Sequence, residues 1–151
     1  MEINKLKAEL SRTFDMKDPG AAKDILGMEI RRDRKNGRLQ LSQQKYVEKV
    51  LEKFYMNNVK PVNVALASHF KLSSVLTLRF DEGKQYMSHV PYENVVGSLM
   101  YVMVSTRPDI SHEVGVVSKF MVNPREEHSQ VVTWVLQYLR GTSDHCIIFN
   151  D

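Results

Sequence analysis

Apolar residues recur at Ile3, Leu6, Leu10 and Phe14, three or four positions apart, so residues 2–14 read as an amphipathic helix. Asp18-Pro19-Gly20 punctuates a turn. From Ile25 the period changes to two: Leu26, Met28 and Ile30 alternate with Gly27, Glu29 and Arg31, as a half-buried strand requires. Asn36-Gly37 predicts a tight I′ turn, beyond which Leu39 and Leu41 resume the alternation, giving a β-hairpin over 25–42. Ser42 is the candidate N-cap of a helix whose apolar stripe is Tyr46, Val47, Val50, Leu51 and Phe54. Asn57-Asn58 ends that helix.

Residues 60–90, with Pro61 and scattered charges, read as an irregular linker. Beyond Pro91 the helical period returns, predicting helices over Tyr92–Ser105, Ile110–Met121 and Glu126–Arg140, the last stopped by Gly141 at C′. Gly97 is the candidate for a close helix contact and Trp134 for a buried ring in this three-helix unit. Ile147-Ile148-Phe149 starts a strand that the chain does not complete. The class is α+β. A helix, hairpin and helix occupy 1–59, a linker 60–90, and a helical unit with an incomplete C-terminal strand 91–151.

Composition narrows the function. With 151 residues, 42% hydrophobic and 26% charged, the chain is globular rather than disordered. Its net charge of +3 permits a polyanionic partner without demanding one. Cys146 is the only cysteine, which excludes an internal disulfide and suits a reducing compartment. The most apolar window, Val95–Val104, is half the roughly 20 residues a membrane span needs, and MEINKLKAELSRTF lacks the apolar core of a secretion signal. An intracellular protein without membrane association is the expectation.

The five histidines have no i,i+4 pairing and no cysteine pair beside them, so neither a metal nor any other cofactor is expected. Cys146 lacks a base partner in sequence and reads as inert, while Glu126-Glu127 suits a helix N-terminus. Arg31, Arg32, Arg34, Lys35 and Arg38 gather at the hairpin tip. They could lie along a phosphate backbone, or form a solvated turn that keeps an edge strand from pairing. At Thr106-Arg107-Pro108-Asp109, Pro108 cannot continue a helix; Thr106 and Asp109 can stop one helix and cap the next. A structural corner is the preferred reading. Arg107 is left to pair with an acid across it or to reach a phosphate.

KDPGAAKDILGMEIRRDRKNGRLQLSQQKYVEKVLEKFYM, VPYENVVGSLMYVMVSTRPDI, VVSKFMVNPREEH and WVLQYLRGT, in that order, resemble the copia-type retrotransposon polyprotein. The resemblance implies a stretch of reverse transcriptase after its catalytic hairpin, supplying the palm edge, the thumb and the connection towards ribonuclease H. Reverse transcriptases hold Mg²⁺ with carboxylates that include a Tyr-x-Asp-Asp pair. This sequence contains no Asp-Asp, so no catalytic residue carries over. Val64-Ala65 departs from the family's usual Thr-Pro, as does Ser129 from its Trp. A secreted oomycete RxLR effector also resembles this copia-like stretch, which would imply translocation into a plant cell, an unknown host protein as partner, and interference with immunity or cell death. Against that, no Arg-x-Leu-Arg occurs in the sequence.

Overall fold

Four antiparallel strands in sequential order form the sheet: β1 (Asp24–Ile25), β2 (Met28–Asp33), β3 (Arg38–Ser42) and β4 (Cys146–Asn150). They belong to a computed structural model that describes residues 2–15, 20–65, 87 and 89–150. The expected turn at Asp18-Pro19 and most of the expected 60–90 linker lie outside the described residues.

The strand expectations change in three places. Leu26 and Gly27 do not continue an alternation; with φ of 50° and 76° they form a two-residue turn between β1 and β2, leaving Leu26 exposed. Positive φ at both central residues matches the twist of the paired strands. At the other end the tight Asn36-Gly37 turn is replaced by a four-residue loop, because Asp33 pairs with Arg38 and only Gly37 there takes positive φ. The Asp33 carboxylate holds this loop, accepting from the backbone N–H of Lys35 (3.1 Å) and Asn36 (3.2 Å) and from Asn36 Nδ2 (2.6 Å). Such a side-chain acceptor satisfies loop N–H groups that lie beyond the ladder. The C-terminal strand is a full member of the sheet, paired with β3 from Arg38↔Asn150 to Ser42↔Cys146. Isolated, a three-residue apolar run has no ladder partner; β3 supplies one.

Five α-helices occupy the described residues, α1 (Glu2–Thr13), α2 (Gln44–Lys53), α3 (Tyr92–Ser105), α4 (Ser111–Ser118) and α5 (Glu126–Gly141). Of the predicted α1 stripe, Ile3 and Leu6 are exposed and Leu10 is half-buried, and Phe14, just past the helix end, is exposed. In α2 the predicted stripe faces inward: Val47, Val50 and Leu51 are buried, and Tyr46 and Phe54 pack at the margin. Ser42 Oγ accepts the N–H of Gln44 at 3.2 Å, one residue ahead of the true N-cap, Gln43.

The core joins α2 to α3–α5. Val96, Leu99, Val102, Ile110, Val114, Val117, Val131, Val135 and Leu139 are all sealed from solvent, and α2 packs on α5. Tyr92 reaches into it and donates to Val117 O at 2.8 Å; burial pushes its hydroxyl up to about 12. Nothing lies within 4 Å of where a Gly97 Cβ would stand, so the expected close contact is absent. Gly141 is different: its Cβ would meet Pro61 Cβ at 3.1 Å and Val62 O at 3.3 Å. It ends α5 inside the helix rather than at C′, and its role is to admit the 61–62 backbone. Trp134 is half-buried, donating from Nε1 to Val64 O at 2.9 Å.

Candidate nucleic-acid interface and the Arg107 corner

The strand register separates the hairpin cations. Directly paired residues share a face of the sheet. Arg31 and Arg38 lie on the face with Asp33, Arg32 on the opposite face, and Arg34 and Lys35 in the loop between. All five are exposed. Hydrogen bonds from the Asn36 side chain and backbone hold the Asp33 carboxyl below its ordinary value, so this acid is ionised and engaged in the turn. Arg31 approaches Glu29 only to 4.0 Å, and Glu29 sits closer to Lys45, at 3.5 Å. Among the described residues, Arg32, Arg34, Lys35 and Arg38 form no ion pair. Five cations against the single ionised Asp33, which also feels the charge of Arg38, leave the tip net positive, the electrostatic requirement for a polyanion.

The second cluster is built where α3 stops. Pro108 opens a short 3-10 turn, Pro108–Ile110, between α3 and α4. Arg107 is only 2% exposed and is fully engaged. Its Nε and one terminal nitrogen grip both oxygens of Asp109 at 2.9 and 2.7 Å. That same terminal nitrogen also donates to the Thr142 hydroxyl and the other one to the Thr142 carbonyl, both at 2.7 Å, just past α5. Tyr138 donates to Asp109 at 2.9 Å, and its ring lies 5.4 Å from the guanidinium carbon. Burial raises the Asp109 carboxyl, but the bonds from Arg107 and Tyr138 and the nearby guanidinium outweigh it and hold the group below its ordinary value. Burial and the Asp109 carboxylate push the Tyr138 hydroxyl up.

Asp109 is thus no helix cap, because its carboxylate is engaged by Arg107 and Tyr138. Arg107 takes the acid rather than a phosphate. Thr106 is buried and donates to Gln43 Oε1 at 2.8 Å, linking the corner to the end of β3. Sequence reasoning missed Gln43, Tyr138 and Thr142 as partners; Tyr138 and Thr142 belong to the YLRGT run, which marked the family without disclosing their contacts.

An open groove of about 450 Å³ lies between the corner and the start of β4, lined by Thr106–Asp109 and 144–147. Cys146 there accepts a hydrogen bond from Gln40 Nε2 at 3.0 Å. Its walls are acidic at Asp109 and Asp144, so it does not extend the basic tip. Among the described residues, no three His, Cys, Asp or Glu side chains gather to hold a metal ion. Nor is any described helix long and apolar enough to cross a membrane. His128 is a local device: its Nδ1 accepts the Arg125 N–H at 3.0 Å and its ring stacks on Phe120 at 3.9 Å, fixing the start of α5. Burial holds its imidazole below the ordinary value.

Comparison with known proteins places this arrangement. Residues 1–74 match the family described as Reverse transcriptase (RNA-dependent DNA polymerase). The Retrovirus-related Pol polyprotein from transposon TNT 1-94 of Nicotiana tabacum is 56% identical over 97% of the chain and 11% of its own length. The chain is homologous to the copia-type reverse-transcriptase region of that polyprotein. The polyprotein from transposon RE1 of Arabidopsis thaliana is 38% identical over 91% of the chain and 9% of its own length. The chain spans about a tenth of the length of these two relatives. Secreted RxLR effector protein 161 of Plasmopara viticola is 44% identical over 42% of the chain and 44% of its own length. No solved structure matches.

Proposed function

We propose that these 151 residues act without catalysis of their own, as a copia-type reverse-transcriptase region that binds nucleic acid weakly through the β2–β3 hairpin. The palm edge would then be the hairpin with α2, and the thumb the three helices α3–α5. The supporting observation is the exposed group Arg31, Arg32, Arg34, Lys35 and Arg38, which outnumbers the one acid among them, Asp33, five to one. The absence of any Asp-Asp pair from the sequence supports the non-catalytic half.

Filter binding of an RNA–DNA duplex at two salt concentrations tests this. If all five cations contact phosphates, affinity falls by about 10²–10³ between 50 and 200 mM salt. Salt-independent binding, or none, would remove the proposal.

A second reading rests on the similarity to the secreted RxLR effector protein, 44% identical over 63 residues. In that reading the chain acts inside a host plant cell on a host protein and suppresses immunity or cell death. Expression in leaf cells should then reduce elicited cell death; an unchanged response across several elicitors would reject it.

A further inference from the structure

The sheet carries a feature that the basic tip alone does not use. Arg32 pairs with Leu39, and Leu39 pairs with Phe149, so the three side chains form one row across β2, β3 and β4 on a single face. At neighbouring-strand spacing, the row spans roughly 10 Å. Phe149 is 51% exposed, Arg32 is exposed, and Leu39 lies half-buried between them. The next row inward, Ile30–Leu41–Ile147, is half-buried throughout, so on β2–β4 this apolar face opens at the tip end. There an aromatic ring shares a face with the Arg32 guanidinium, which forms no ion pair among the described residues, and the loop that carries Arg34 and Lys35 follows directly.

We propose that this row is a stacking platform for an unpaired base of a single-stranded nucleic acid, with Arg32, Arg34 and Lys35 holding the flanking phosphates. The inference rests on the hairpin's binding nucleic acid at all, as argued above. An exposed aromatic beside cations on an antiparallel sheet is the arrangement that binds single strands, since every base has a face that can stack on a ring. In a duplex those faces are covered by neighbouring bases, so the row favours unpaired strands. Charge complementarity argues against a second copy as occupant. A two-fold contact with its axis along this row would set Arg32, Arg34 and Lys35 against the same cations of its mate, and any two-fold contact here brings two net-positive hairpin tips together.

The test is fluorescence anisotropy of the full chain with a labelled oligo(dT) strand and with an RNA–DNA duplex of equal length. Phe149→Ala should weaken single-strand binding roughly 5- to 150-fold, the range for one base–aromatic stack, and duplex binding less than about twofold. Phe149→Trp should restore it. Arg34→Gln with Lys35→Gln should weaken both ligands and flatten the salt dependence. Equal losses on both ligands for Phe149→Ala, or no loss, would overturn the platform while leaving the basic tip standing. Failure of the unaltered chain to bind either ligand would overturn both. Sedimentation showing a wild-type dimer that Phe149→Ala dissociates would reassign the row to self-association. Since Phe149 is exposed at the sheet edge, unchanged circular dichroism and melting temperature serve as the control for folding.

Discussion

Replacing Arg107 by Met keeps the unbranched stem of the side chain, ends it short of the guanidinium, and removes its charge and all its donors. In the folded chain this strips Asp109 of a two-point grip and Thr142 of two bonds at 2.7 Å. Breaking a buried ion pair from one side typically costs about 3–5 kcal/mol. The Asp109 side chain is 38% exposed and can take up water, which lowers the figure, whereas the Thr142 carbonyl loses a charge-assisted partner. A loss of about 2–4 kcal/mol follows, each kcal/mol lowering the melting temperature by roughly 2–4 °C at this chain length. Asp109→Asn should cost at least as much, because it leaves a guanidinium that is 3% exposed without its counter-charge. The double variant should recover part of the loss. Urea unfolding followed by circular dichroism measures all three. The Asp109 carboxyl is held below its ordinary value, so its contribution is complete above the unfolded value of about 3.9 and disappears as the pH falls through the folded one. The gap between wild type and Arg107→Met should narrow in acid. A single-variant loss below about 1 kcal/mol, or strict additivity in the cycle, would refute the account of the corner.

Gly97→Ala should stabilise the chain by about 0.5–1 kcal/mol, since the site is open and a helical Gly carries excess backbone freedom; a lower urea midpoint would contradict this. Gly141→Val should instead cost about 1–3 kcal/mol, because the side chain must displace Pro61 and the Val62 carbonyl; an unchanged midpoint would show that the 61–62 segment yields freely. Burial lowers the His128 imidazole, so the unfolded chain binds its proton first as the pH drops. The stability this residue contributes is complete above about pH 6.5 and declines below it. His128→Gln keeps an acceptor at the cap without a titrating ring and should flatten the decline just below pH 6.5; an unaltered slope would place the acid sensitivity elsewhere.

The local periodicities were sufficient for the helices. Tyr46, Val47, Val50, Leu51 and Phe54 form one face whatever lies opposite, and Pro108 cannot continue the helix that precedes it. The motifs that carry the family resemblance, and the basic group at the hairpin, also stand in the linear order of residues. The remaining features depend on partners remote in the chain. Ile147–Phe149 reads as an unfinished strand until β3, more than 100 residues earlier, supplies its ladder, and only that register sets Phe149 in one row with Arg32. Asn36-Gly37 reads as a tight turn until Asp33 is seen to bridge it. Arg107 has an acid two residues away, but the Thr142 carbonyl that completes its shell arrives from the end of α5. Periodicity reports which face of an element is apolar. Which strand pairs, which glycine is crowded and which charge is satisfied follow from contacts made when distant segments close on one another, and these the tertiary structure alone decides.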